Sequence, residues 1–131
     1  MVWLTHNPQR NLDKFFAKYT AESAEPDLAI IRRPEMSAML KRSYAEATRN
    51  GVRGFVQEVI IESRPWGFRL EEIRRPVRLW HGESDTSTPI GMARYLARAL
   101  PNCTATYFPG EGHFVVFTHW REILAELISA G

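Results

Sequence analysis

Apolar residues recur with a helical period through the first half of the chain and gather into short runs in the second half. Leu12, Phe15, Phe16 and Tyr19 fall three and four residues apart, which predicts a helix ending at Ala21-Glu22-Ser23-Ala24-Glu25-Pro26-Asp27, read as a polar turn. Pro34 suits the first position of a second helix. Its apolar face is Met36, Met39, Leu40, Ser43 and Ala47, and Gly51 stands where a helix-terminating glycine belongs. Val52, Phe55, Val56, Val59 and Ile60 predict a third helix. These methionine and aromatic positions are expected to be packing residues, because apolar stripes at helical spacing are usually core.

Arg64-Pro65-Trp66-Gly67-Phe68 breaks the helical pattern, and a polar bridge over residues 69–75 leads to Pro76. The run Val77-Arg78-Leu79-Trp80-His81-Gly82 reads as a buried strand opening into a glycine-containing loop. Thr88, just before Pro89, is expected to cap a helix over residues 90–100. Residues 104–108 are β-prone and run into the tight turn Pro109-Gly110-Glu111-Gly112-His113. A last helix is expected from Thr118 or His119, with the stripe Ile123, Leu124, Leu127 and Ile128. Strand, helix, strand, helix predicts a right-handed βαβ unit of α/β class, with both loops at the carboxyl ends of parallel strands. A chain of 131 residues is expected to form a single domain, residues 1–64 helical and residues 65–131 β-α-β-α.

Composition narrows the function classes. An apolar fraction of 44% and a charged fraction of 24% are those of an ordinary globular protein. No window approaches the roughly 18 to 20 unbroken apolar residues of a membrane helix, and the N-terminus has no basic segment followed by an apolar core. Arginine supplies 14 of the 17 basic residues against 15 acidic ones, and the basic residues are scattered with Glu close by, as in Glu71, Glu72, Arg74 and Arg75. That is a solvated mixed surface and not the basic stripe of a nucleic-acid binder. Cys103 is the single cysteine, so no disulfide forms within the chain and a reducing, cytoplasmic setting is expected.

The chemistry-bearing candidates are Asp85 and His113, 28 residues apart and each just beyond a predicted strand. A carboxylate beside an imidazole fixes its tautomer and stabilises the imidazolium once it takes a proton, which is two thirds of a nucleophile-histidine-acid triad. The competing reading makes Asp85 a turn cap and His113 an ordinary loop histidine. His81, Glu83 and Asp85 alternate as metal ligands on a strand would, but Gly82 and the polar run after it end the strand, and no metal site is assigned. Ser84 and Ser87 suit loop hydrogen bonds, Cys103 suits a half-buried packing position, and His119 suits a helix start. Trp80 and Trp120 read as core or rim aromatics, and His6 is uninformative.

The local sequence adds a resemblance. His81-Gly82-Glu83-Ser84-Asp85-Thr86-Ser87-Thr88-Pro89, followed by Gly110-Glu111-Gly112-His113, resembles the C-terminal portion of an α/β-hydrolase-fold protein. There a His-Gly-x-x-Asp-x-x-x-Pro loop supplies the triad acid and a Gly-x-Gly-His loop the base. Pro65-Trp66-Gly67-Phe68 and Ile73-Arg74-Arg75-Pro76-Val77 resemble the approach to that strand, and the helical first half resembles a cap region. The resemblance implies Asp85 and His113 as catalytic acid and base, hydrolysis of an ester, amide or related bond in a small molecule, and no cofactor.

The departure from the family pattern is the nucleophile. No G-x-S-x-G elbow occurs, since Gly82-Glu83-Ser84-Asp85-Thr86 has threonine where the second glycine belongs and occupies the acid loop. The chain therefore reads as the last part of a hydrolase, a partial fold. Two parallel strands normally need covered faces and paired edges, so self-association, or pairing with a complementing polypeptide, is expected to complete the sheet. The alternative is a non-catalytic binding or assembly module on a hydrolase scaffold.

Overall fold

The computed structural model describes residues 12–51 and 53–129. His6 and Val52 lie outside the described residues, and for Leu12, Phe15, Tyr19 and Phe55 only the backbone is described. The order along the chain is α1 (Leu12–Ala21), α2 (Glu25–Ile31), α3 (Pro34–Ala47), α4 (Arg53–Glu62), a 3-10 turn (Leu70–Glu72), β1 (Val77–Gly82), α5 (Ile90–Ala99), β2 (Cys103–Phe108) and α6 (Val115–Ser129). These elements fall into two compact units, one drawn from the described residues up to 22 and from 31 to 68, the other from residues 23–30 and the described residues from 69 onward.

The first unit is helical. Pro34 starts α3, where its missing N–H costs no hydrogen bond. The helix closes on Thr48, whose N–H and hydroxyl both donate to the Tyr44 carbonyl, at 3.0 and 2.8 Å. Gly51 then turns the chain at a φ of +87°, a conformation few side chains tolerate. Burial pushes the Tyr44 hydroxyl above its ordinary pKa. The Lys41 ammonium lies 5.5 Å over the Phe16 ring and links α3 to α1. The packing expected of the apolar stripes is not met: no residue of α3 is buried, and Val59 and Ile60 of α4 are 47% and 42% exposed. A helical period creates an apolar face, but only an opposing surface buries it.

Residues 21–27, expected to be a turn, contain the start of α2. Pro26 sits in the first turn, where an N–H is not needed, and Glu25 and Asp27 favour the positive end of the helix dipole.

The second unit holds a two-stranded parallel sheet, so the fold class is α/β. Its register runs from Val77 opposite Cys103 to Gly82 opposite Phe108. Helix α5 packs against both strands and α6 against β1, while the 3-10 turn rests on α5. Ala93, Leu100, Phe114, Val115 and Ile30 form the buried apolar set of this unit. An Arg78–Glu126 ion pair at 3.0 Å ties β1 to α6, and the Asn102 side-chain amide donates to the Arg74 carbonyl at 2.7 Å.

Three local expectations need correction. Strand β1 is half-buried instead of buried, Gly82 alone being enclosed, because a two-stranded sheet has little to cover it. Thr88 does not cap α5: Pro89 occupies that position with no side-chain cap, and Thr88 is engaged by the acid loop described below. Helix α6 begins at Val115, earlier than expected, and His119 is a break within it, at φ −111° and ψ 17°, from which the expected helical stretch runs on. Of the α6 stripe, Leu124, Leu127 and Ile128 are exposed. Among the described residues, no helix is long and apolar enough to cross a membrane.

Candidate active site

Because β1 and β2 are parallel and in register, the loops that follow Gly82 and Phe108 leave the same edge of the sheet. They are stitched together by backbone: Glu83 N–H donates to the Phe108 carbonyl at 3.0 Å, and Ser84 N–H donates to the Glu111 carbonyl at 2.8 Å. The crossing point is Gly82. A Cβ there would collide with the carbonyl oxygens of Gly112 and Glu111, so only glycine allows this approach.

Asp85 lies in the first of these loops, with its side chain 4% exposed. Its two oxygens have separate partners. Oδ1 accepts the N–H groups of Ser87 and Thr88, each at 2.8 Å, and shapes the turn. Oδ2 accepts from His113 Nδ1 at 3.0 Å. The turn-capping and imidazole-holding readings of the sequence are thus compatible, one oxygen serving each. Burial pushes the Asp85 carboxyl up, but the Thr88 N–H, the His113 hydrogen bond and charge, and the Ser87 N–H together outweigh it, and its pKa lies below the ordinary value.

A carboxylate held at lower pKa in the folded than in the unfolded chain contributes stability that is fully present above the unfolded value of about 3.9. That contribution disappears as pH falls through the lower, folded value. Urea denaturation of the wild type and Asp85→Asn between about pH 7 and pH 3 should show the wild-type advantage shrinking only below about pH 4.

With Nδ1–H directed at the carboxylate, the neutral His113 ring keeps a lone pair on Nε2. The side chain is 44% exposed, so that nitrogen can be reached from solution. His81 also lies near Asp85. Its Nε2 donates to the Thr88 carbonyl at 2.9 Å and lies 3.9 Å from Asp85 Oδ2, too far for a hydrogen bond. His81 therefore braces the acid loop through its backbone.

The histidine loop has its own fastener. Glu111 Oε1 accepts from His119 Nε2 at 2.6 Å, and the His119 ring stacks on Phe108 with centroids 3.9 Å apart. This contact lies at the α6 kink, a second role for His119 that the sequence did not suggest. Cys103 pairs with Val77 at the strand end opposite Gly82 and Phe108, away from both loops. Among the described residues no three His, Cys, Asp or Glu side chains are grouped to hold a metal ion.

One residue of the site had no signal in the sequence. Asp27, from α2, is only 2% exposed and accepts the Phe114 N–H on Oδ1 at 2.8 Å. Its partner is 87 residues away, and no local pattern marks such a contact.

A buried carboxylate holding an exposed imidazole at the carboxyl ends of parallel strands is an arrangement that can fix the ring's tautomer and stabilise its protonated form. Comparison with known proteins supports a relationship to hydrolases at low identity. The chain is 29% identical, over 116 residues and 87% of its length, to the pimeloyl-(acyl-carrier protein) methyl ester esterase of Aromatoleum aromaticum. It is 34% identical, over 55 residues and 42% of its length, to a protein of the same name from Chromobacterium violaceum. These matches span 43% and 22% of the respective relatives. No protein-family model matches the chain.

Proposed function

We propose that this chain is the acid- and base-bearing part of an α/β-hydrolase-type esterase. His113 acts as general base and then general acid, and Asp85 orients it. The observation that carries this reading is the pairing of a buried, ionised Asp85 Oδ2 with Nδ1 of an accessible His113 at 3.0 Å. In the reaction, a serine hydroxyl attacks the ester carbonyl while His113 Nε2 takes its proton. The tetrahedral adduct then collapses, the alcohol departs with that proton, and water repeats the sequence to free the acid and the serine.

The serine lies outside these 131 residues, which contain no G-x-S-x-G elbow. A polypeptide segment carrying it covers the edge of β1 that is unpaired among the described residues, and the exposed Val116, Phe117 and Trp120 of α6. The relatives act, by name, on a methyl ester, which makes a carboxylic ester the bond class to test first. The non-catalytic alternative draws its support from the absent elbow alone.

The test is co-expression of this chain with the portion of the Aromatoleum aromaticum esterase that lies outside the matched region. The pair is assayed on a chromogenic ester and treated with a fluorophosphonate before mass spectrometry. The expected result is no adduct on this chain alone, a single serine adduct on the pair, and loss of turnover of about 10³-fold or more in His113→Ala. A pair that hydrolyses the ester equally well with His113→Ala would remove His113 from the chemistry.

A further inference from the structure

A carboxyl group at 2% exposure is an expensive feature, because a polar group taken out of water needs hydrogen bonds to replace the solvent. Asp27 carries such a group, and it lies against the backbone on both sides of His113. On the C-terminal side, Oδ1 accepts the Phe114 N–H at 2.8 Å. That residue directly precedes α6, and its carbonyl accepts the first helical N–H, from Phe117, at 2.9 Å. Asp27 thus caps α6 from another helix, with its charge at the positive end of the helix dipole. On the N-terminal side, the atoms nearest to a Cβ built on Gly112 are the carboxylate atoms of Asp27, close enough to collide. Gly112 and Phe114 are both buried, whereas His113 between them has its side chain 44% exposed.

We infer that Asp27 is a positioning residue for His113: it fixes the backbone on either side, and Asp85 then fixes the ring. This rests on the reading of Asp85 and His113 as acid and base. The imidazole itself makes one hydrogen bond among the described residues, to Asp85. A ring on an exposed loop with a single bond would spend much of its time in other rotamers unless its backbone were held. The holding group must be an acceptor, because it takes an N–H, and it must be short, because Gly112 leaves no space behind it. An asparagine meets both conditions, while alanine meets only the second.

The test uses the whole chain labelled with ¹⁵N-histidine, and reads the His113 tautomer by long-range proton–nitrogen correlation well above the ordinary histidine pKa of about 6.5. Wild type and Asp27→Asn should both show the proton on Nδ1. Asp27→Ala should lose about half or more of that tautomer, and so should Gly112→Ala, whose added methyl displaces the carboxylate from the other side. The exchange protection of the Phe114 amide should fall about tenfold or more in Asp27→Ala and remain in Asp27→Asn. If Asp27→Ala does not fold, Gly112→Ala and Asp27→Asn still decide the question.

A wild-type tautomer in Gly112→Ala, or an altered one in Asp27→Asn, overturns the inference. The second outcome would mean that the charge acts instead of the geometry. Asp85→Asn separates this from the functional reading. If it leaves the tautomer unchanged, Asp85 does not orient His113 and that reading fails, whatever Asp27 does.

Discussion

Asp85→Ala is expected to lower the unfolding free energy by about 3 kcal/mol, because it strands two backbone donors and frees the imidazole in one step. The Ser87 and Thr88 N–H groups both end on Oδ1 of a carboxylate that is almost fully enclosed. Without it they must find water inside a folded turn or remain unpaired, and an unpaired buried donor costs about 1–3 kcal/mol. The exposed His113 loses less, since solvent can replace its partner. Asp85→Asn is the informative contrast. Its amide oxygen can still take the two N–H groups, but its NH₂ would then face His113 Nδ1 and favour the other tautomer. That variant should cost about 1 kcal/mol while reversing the ring's proton assignment. Urea denaturation and histidine correlation spectra on the same samples check both halves, and equal destabilisation by alanine and asparagine would mean that Oδ1 does not hold the turn.

Gly82→Ala should be at least as damaging, at about 3 kcal/mol or more, for a different reason. The methyl would meet the Glu111 and Gly112 carbonyls, which belong to backbone and have no rotamer into which to retreat. Relief requires the acid loop and the histidine loop to part. Parting them breaks the Ser84–Glu111 hydrogen bond of 2.8 Å and lengthens the Asp85–His113 contact. Thermal unfolding monitored by circular dichroism gives the stability loss, and disappearance of the Nδ1–H signal of His113 gives the separation. Gly91→Ala is the control, because nothing lies within 4 Å of a Cβ there and a helical position suits alanine better than glycine. A Gly82→Ala protein as stable as the Gly91→Ala protein would show that the loops do not cross as closely as described.

Much of the second unit was legible in the sequence. Both strands, the intervening helix and the two loops are marked by proline, glycine and short apolar runs, which act over a few residues. Asp85 and His113 were legible because each follows a strand, and parallel pairing brings strand ends together whatever the rest of the chain does. The first half was less legible. Helix α2 was hidden by Glu25, Pro26 and Asp27, which suit a turn and a helix start equally.

What the sequence determined by itself is therefore local: where helices and strands run, and which two side chains end up at one edge of a parallel sheet. Tertiary structure decided the rest. It assigned one oxygen of Asp85 to the turn and the other to the imidazole, and it placed His119 against Glu111 at a break within α6. It also brought Asp27 across 87 residues to the backbone beside His113. The physical reason is range. Propensity and periodicity act between neighbours in sequence, whereas burial and hydrogen-bond satisfaction depend on whatever surface arrives from elsewhere in the chain.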